Sequence, residues 1–398
     1  MAEFPEKSHR VDDLCPRPQH LPPLTTEPLA PPLHLAAVYE CSNPAEADAI
    51  LAGQTPGYVY QRDGHPNADL LAAKCRELHG AEQAIITGSG MGALAAAVLA
   101  HAQSGDHLVV SNQLYGKSLS LLARELARLG VQSTLVDTCD LAATERACTA
   151  KTKLLIVETI TNPLLRVSDI AELARIAHQR GALLLVDNTF AGPALCRPLE
   201  LGADLAMESI TKTMNGHSDV ILGLLCGGTA TWQRIPTVVS SWGLASAPFD
   251  CWLALRGLGT LAIRIERAAA NALVLARELA QRSEVTAVHY PGLETHPDHE
   301  LAQRQFAGRF GTMVSITLAG GLAGAQQFMQ ASEIPFCPSL GDLCTTLSHP
   351  ASTSHRALTV ADREALGIFD GTLRLSVGIE SAESIVARAV AGCAAVGK

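Results

Sequence analysis

The stretch Ser209-Ile210-Thr211-Lys212-Thr213-Met214-Asn215-Gly216-His217-Ser218-Asp219 holds more reactive side chains than a core segment tolerates. Lys212 lies between two hydroxyl residues at a strand end, with a glycine-containing polar loop after it, so its amine could form an imine with an aldehyde cofactor. Ser209 and Thr211 beside it could bond a nearby phosphate. Taken singly, such a lysine is most often solvated surface, so the assignment depends on partners. One candidate is Asp187, which closes the apolar run Leu183 to Val186. A carboxylate at the carboxyl end of a central strand lies where open α/β sheets bind ligands, and it could keep a pyridinium nitrogen protonated. The bland reading of an isolated Asp187 is a cap at a strand-to-loop junction.

A third element is Gly88-Ser89-Gly90-Met91-Gly92-Ala93, set between a strand and a helix. Backbone N–H groups and a helix dipole converging there suit a phosphate. The spacing also matches the GxGxxA dinucleotide fingerprint, which makes an NAD-dependent dehydrogenase the rival from another class. That fold places an acidic residue about 20 positions on, at the end of the next strand. Here the strand ends in Ser111-Asn112, with Asp106 before it.

These residues need a scaffold, and the chain supplies alternating helix and strand patterns from about Asn67. Asn67 is expected to cap a helix that Gly80 ends. Ala84 to Thr87 reads as a strand, Met91 to Gln103 as an apolar helix, Leu108 to Val110 as a strand, and Lys117 to Leu129 as a helix stopped by Gly130. Leu154 to Val157 and Leu183 to Val186 are continuous apolar runs, as expected for parallel strands covered on both faces, with Ile170 to His178 as the helix between them. This rhythm predicts an α/β fold with a mostly parallel, doubly wound sheet. A long helix is expected from Leu253 to Gln281, and strands at 285–288, 312–318 and 373–377 then suggest a smaller α+β domain. Residues 1–62 read as an extended arm, since eight of the 21 prolines fall within the first 32 residues. Residues 63–255 are the expected large domain and 256–398 the small one.

Composition narrows the partners. A net charge of −9 argues against nucleic acid, which wants a basic face. No apolar run is long enough to span a membrane. The first residues lack a signal peptide's pattern, and the 11 cysteines form no CxxC pair, so a cytoplasmic protein with reduced thiols is expected. Only 17% of residues are charged, which suggests that partner subunits cover part of the surface.

The Ser-x-Thr-Lys-x-x-x-Gly-His-Ser-Asp stretch resembles the cofactor-lysine element of the Cys/Met-metabolism PLP-dependent enzymes. That family includes cystathionine γ-synthase, cystathionine γ-lyase, methionine γ-lyase and O-acetylhomoserine sulfhydrylase. The likeness runs from about Pro31 to the C-terminus. It includes Tyr60-Gln61-Arg62, Ser89-Gly90-Met91, Leu114-Tyr115-Gly116, Glu158, Asn162-Pro163, Val186 to Thr189, Ser339-Leu340-Gly341, His349-Pro350-Ala351 and Arg374 to Gly378. The resemblance implies fold type I and pyridoxal 5′-phosphate. It gives Lys212 and Tyr115 as catalytic residues, and Tyr60, Arg62, Ser89, Gly90, Met91, Asp187, Ser209 and Thr211 as cofactor ligands. It gives Asn162, Ser339 and Arg374 to an amino-acid substrate, and no metal. It also implies a homodimer whose sites borrow Tyr60 and Arg62 from the neighbouring subunit, assembled as a homotetramer.

The expected chemistry is γ-elimination or γ-replacement on a homocysteine-, homoserine- or cysteine-derived substrate. Three departures bear on specificity: Lys117 where methionine-degrading members carry cysteine, Thr213 where tyrosine is frequent, and Cys344 in place of a glutamate that holds a distal amino group. Cys344 makes O-acetylhomoserine sulfhydrylase the close rival and predicts poor use of cystathionine. A catalytically idle scaffold is disfavoured by intact Lys212, Asp187 and Arg374. Three other groups are set aside: His296-Pro297-Asp298-His299-Glu300 as a solvated turn without a third metal ligand, His217 as a loop-stabilising residue, and Trp242, Phe249 and Trp252 as core or interface.

Overall fold

The computed structural model describes residues 26 and 28–397. Most of the proline-rich start of the expected arm therefore lies outside the described residues. Leu33–Lys398 form one compact unit. It is built on two sheets.

The larger sheet has seven strands: β1 Gln83–Thr87, β2 His107–Ser111, β3 Gln132–Val136, β4 Thr152–Glu158, β5 Leu183–Asp187, β6 Leu205–Ser209 and β7 Gly223–Gly227. Their order is β1-β7-β6-β5-β4-β2-β3. The pairs from β6 through β5, β4 and β2 to β3 are parallel, whereas β7 runs antiparallel to both β6 and β1. Helices cover both faces, so alternate residues of one strand enter different cores. Leu155 and Val157 pack with Leu173 and Ile176, while Leu154 and Ile156 pack with Leu94 and Val98. Each such fully buried leucine or isoleucine contributes about 1.5–3 kcal/mol. Register then aligns the carboxyl ends of three strands: Glu158 pairs with Asp187, and Asp187 with Met207. Glu158, Asp187 and Ser209 thus share one rim.

The smaller sheet is antiparallel: β8 Val285–His289, β9 Met313–Leu318, β10 Thr346–Ser348 and β11 Thr372–Ser376, in the order β10-β11-β9-β8. Helices Leu261–Leu279, Gly321–Ser332 and Ala382–Cys393 bury Leu275, Phe328 and Ile385 against it. Among the described residues, no helix is long and apolar enough to cross a membrane.

Several local expectations need correction. Asn67 is not the helix cap. His65 is, its Nδ1 accepting from Ala68 N at 3.1 Å, because Pro66 suits the first helical position. Asn67 Oδ1 instead accepts from His34 N at 2.9 Å. The expected helix over 253–281 is two helices, Pro248–Leu258 and Leu261–Leu279, interrupted at Gly259-Thr260, both weak helix formers. The expected helix over 117–129 changes winding along its length, with an α turn at Gly116–Ser120, a π turn at Leu121–Glu125 and a 3₁₀ turn at Leu126–Leu129. Its stop is the left-handed Gly130, with φ +82°. Within the segment expected to be extended, Pro44–Leu51 is helical, capped by the Asn43 side chain.

Candidate active site

The parallel strand ends open onto a cavity of about 280 Å³. Ser89, Gly90, Met91, Tyr115, Asn162, Asp187, Ser209, Thr211, Lys212, Ser339 and Arg374 all line it. Eleven of the thirteen residues singled out from sequence therefore meet in one place. The two others, Tyr60 and Arg62, lie outside this cavity and are exposed, with the Arg62 guanidinium 5.2 Å from the Tyr60 ring centre.

At one end the helix Gly90–His101 points its N-terminus into the cavity. Ser89 is its cap, the hydroxyl accepting from Gly92 N at 3.0 Å. Gly90 is required by closeness: a Cβ there would lie 2.9 Å from Ser209 Cβ. Free backbone N–H groups, the dipole and the Ser209 and Thr211 hydroxyls make this end an anion cradle. Thr211 also spends its hydroxyl on the chain, donating to Leu222 O and accepting from Leu222 N.

In the middle, the Lys212 amine donates to Ser339 Oγ at 2.8 Å. Burial, and then the neighbouring Arg374, hold its pKa below the usual lysine range. A lysine so depressed reaches its nucleophilic neutral form more readily. Asp187 lies on the cavity floor, its Oδ1 accepting from Thr189 N at 3.0 Å. Burial raises its pKa, and these bonds to Thr189 oppose the rise.

At the other end Arg374 is buried. It donates from Nη1 to Asn162 Oδ1 at 2.7 Å and from Nη2 to the Ser339 carbonyl at 3.1 Å. Its Nε has no partner. Burial pushes its pKa down to about 10, so it stays charged at neutral pH. Beside it, Glu158 accepts from Tyr115 N at 2.8 Å. Burial and then Asp187 push its pKa well above the ordinary carboxylate range. The floor therefore carries two adjacent carboxyl groups, both pushed by burial toward the protonated form, with the bonds to Thr189 opposing the push on Asp187. Phe190 is a site residue that sequence reasoning missed: it lines the cavity and its ring faces the Arg374 guanidinium at 5.5 Å. Its place directly after Asp187-Asn188-Thr189 was the available signal.

An N–H cradle, an amine and a carboxylate in sequence along one cavity fit the phosphate, aldehyde and ring nitrogen of pyridoxal phosphate. The model of the Cys/Met metabolism PLP-dependent enzymes matches residues 17–390. The chain belongs to that family. It is therefore a pyridoxal phosphate-dependent enzyme of sulfur amino-acid metabolism. Among relatives, it is 41% identical to the O-succinylhomoserine sulfhydrylase of Pseudomonas aeruginosa, across 92% of this chain and 90% of that protein. It is 37% identical to the L-methionine γ-lyase of Pseudomonas putida, across 90% and 91%. Among solved structures, cystathionine γ-synthase of Xanthomonas oryzae in complex with cystathionine superposes with a TM-score of 0.86 at 38% identity, covering 92% of each chain.

The three departures from the family pattern do not line the cavity. Lys117 and Cys344 are exposed, and Thr213 is buried with its hydroxyl donating to the Thr189 carbonyl at 3.4 Å. The specificity argument from Cys344 thus lacks a contact within this chain. The reading of His296 to Glu300 as a solvated turn is also corrected. His296 is buried, and Asp298 takes a two-bond ion pair from Arg166 at 2.6 and 3.0 Å. That segment locks the loop leading from β4 through Asn162. Among the described residues no group of three candidate ligands could hold a metal. Trp242 and Phe249 are exposed rather than core, and His217 is held by the Asn215 carbonyl at 2.7 Å.

Proposed function

We propose that the enzyme carries out γ-elimination or γ-replacement on a homoserine- or homocysteine-derived amino acid whose far end bears no second amino group. One observation carries this reading. The two carboxyl groups lining the cavity are both committed, Asp187 accepting from Thr189 N and Glu158 from Tyr115 N. A distal ammonium would be desolvated without a counter-ion, which is costly. Arg374, with its fork partly satisfied by Asn162 and Ser339, suits the single α-carboxylate.

When bound, pyridoxal phosphate supplies the electron sink that makes an α-proton removable. Ser89, Gly90, Ser209 and Thr211 would hold its phosphate and Asp187 its ring nitrogen. Lys212 Nζ would anchor it and then carry the α-proton, with Ser339 Oγ aiming the amine. Tyr115, on the cavity wall, would protonate the departing γ-substituent from its phenol. Tyr60 and Arg62 would complete the site of an adjacent subunit, a reading supported by their exposure outside their own cavity.

The test is kcat/KM for an O-acyl-homoserine with and without a small thiol, for L-methionine and for L-cystathionine, followed by ammonia, 2-oxo acid and thioether formation. The expected order places cystathionine last. Efficient cleavage of cystathionine would sink the proposal and favour a γ-lyase whose distal contact comes from another subunit.

A further inference from the structure

The catalytic geometry needs Lys212 at a fixed distance from Arg374, yet Lys212 lies in the turn after β6 of the larger sheet and Arg374 on β11 of the smaller one. Ser339 touches both, its Oγ accepting from Lys212 and its carbonyl from Arg374, but it sits in a loop. A more rigid connection runs behind the cavity, along the helix Leu261–Leu279.

Arg264, in the first turn of that helix, is buried and donates to three carbonyls: Thr213 O at 2.7 Å, Met214 O at 2.9 Å and Gly257 O at 3.0 Å. Its Nε donates to Thr260 Oγ1 at 3.1 Å. Thr213 and Met214 belong to the turn that begins at Lys212, closed by Gly216 N donating to Lys212 O at 2.8 Å. The chain then leaves the helical path at the left-handed Gly216, with φ +74°. The carbonyls of 213 and 214 thus have no later N–H in a helix to take, and the guanidinium serves them instead. The Gly257 carbonyl is likewise at the end of Pro248–Leu258, where a cation is favoured. Contact is close on both sides: a Cβ on Gly216 would lie 1.9 Å from Arg264 Nη1, and one on Gly257 would lie 2.5 Å from Asn215 O.

Seven residues on, two turns along the same face, is Asn271, also buried. Its Nδ2 donates to Gly378 O at 3.0 Å and Glu380 O at 2.8 Å. Those carbonyls follow directly on β11, the strand that carries Arg374. The Glu380 carboxylate fixes the segment further by accepting from Thr345 N and Thr345 Oγ1. One face of one helix therefore holds the root of the lysine at one point and the root of the arginine strand at the next.

We propose that Arg264 and Asn271 are positioning residues that set the separation between Lys212, which moves the α-proton, and Arg374, which anchors the carboxylate. The proposal rests on the roles given above to Lys212 and Arg374 and on no particular leaving group. A helix is stiff along its axis, so a change at either attachment displaces the amine relative to the bound α-carbon. Misplacement of about 1 Å costs up to about 100-fold in such transfers. The effect belongs to the proton-transfer step, whereas substrate affinity stays with Arg374 and Asn162.

The experiment follows solvent-deuterium exchange into the α-position of L-alanine, which has no γ-substituent to lose, using the holoenzyme and normalising to bound cofactor absorbance. Arg264→Lys and Asn271→Ser should each slow exchange by about tenfold, with L-alanine affinity changing by less than about twofold. A merely structural role predicts a lowered Tm with exchange per bound cofactor unchanged. Thr260→Val keeps the guanidinium but frees its Nε, and should slow exchange by about threefold even if Arg264→Lys fails to fold. Exchange within about twofold of wild type in Thr260→Val and Asn271→Ser, or loss tracking alanine affinity, would overturn the proposal. A wild-type enzyme that exchanges no faster than Lys212→Ala would sink the roles of Lys212 and Arg374, and this proposal with them.

Discussion

Replacing Arg374 by lysine keeps a positive charge in the cavity but removes the planar fork. In the native site the guanidinium spends one Nη proton on Asn162 Oδ1 and another on the Ser339 carbonyl. Nε and the remaining protons are left for a ligand, and Nε has no partner of its own. A lysine ammonium has three protons in all and a longer, more flexible approach. If it keeps Asn162, it can offer a carboxylate one good bond where arginine offers two. Each charge-assisted bond is worth about 1.5–3 kcal/mol. Losing one, together with some misalignment of the other, should weaken amino-acid binding by about 2–4 kcal/mol, or about 30- to 1000-fold. Cofactor content should not change, because the phosphate cradle and Asp187 are separate from this end of the cavity. The assay is steady-state release of 2-oxo acid and ammonia over a range of amino-acid concentration, with cofactor absorbance measured on the same samples. The expected result is a raised KM with cofactor retained. A rise below about fivefold, less than about 1 kcal/mol, would show that the α-carboxylate is held elsewhere.

Lys212→Ala should lose both the anchor and the base, lowering turnover by several orders of magnitude and leaving no cofactor that borohydride can fix to the protein. Retained turnover would refute the assignment. Mixing Arg62→Ala with Lys212→Ala subunits should restore some activity, since a hybrid dimer contains one undamaged site. Inactivity of verified hybrids would show that sites are not shared. Behind the sheet, His79 Nε2 lies 3.2 Å from Glu208 Oε1, which also accepts from Asn188 Nδ2 at 2.8 Å. Burial raises the Glu208 pKa well above normal and pushes His79 down to about 4, so burial favours the neutral form of both. A carboxyl with a raised folded pKa favours the native state below its unfolded pKa, and loses that advantage as pH climbs toward the folded value. Glu208→Gln should therefore match wild type in Tm near pH 4.5 and exceed it increasingly toward pH 8. A deficit that grows with pH would instead mean an ionised pair.

The sequence by itself determined the cofactor chemistry, through its resemblance to the Cys/Met-metabolism PLP-dependent enzymes, and the order of the scaffold. Lys212, Asp187 and the Ser89-Gly90-Met91 turn carry side chains and backbone freedom that a core segment does not use. The apolar runs of β4 and β5 have the length and continuity expected of strands covered on both faces. Short-range physics is written in neighbouring residues, so these elements were legible. Their meeting was not. Glu158 gains its raised pKa from burial first and then from Asp187, which parallel register places beside it on the adjacent strand. The Gly259-Thr260 break became decisive only when it placed Arg264 over the Lys212 turn. Lys117, Thr213 and Cys344 looked like specificity residues in a linear comparison, yet none of the three lines the cavity. Distance in space, burial and the direction of a side chain depend on contacts between residues far apart in the chain. Those contacts are set by how the sheets and helices pack, and local pattern carries no record of them.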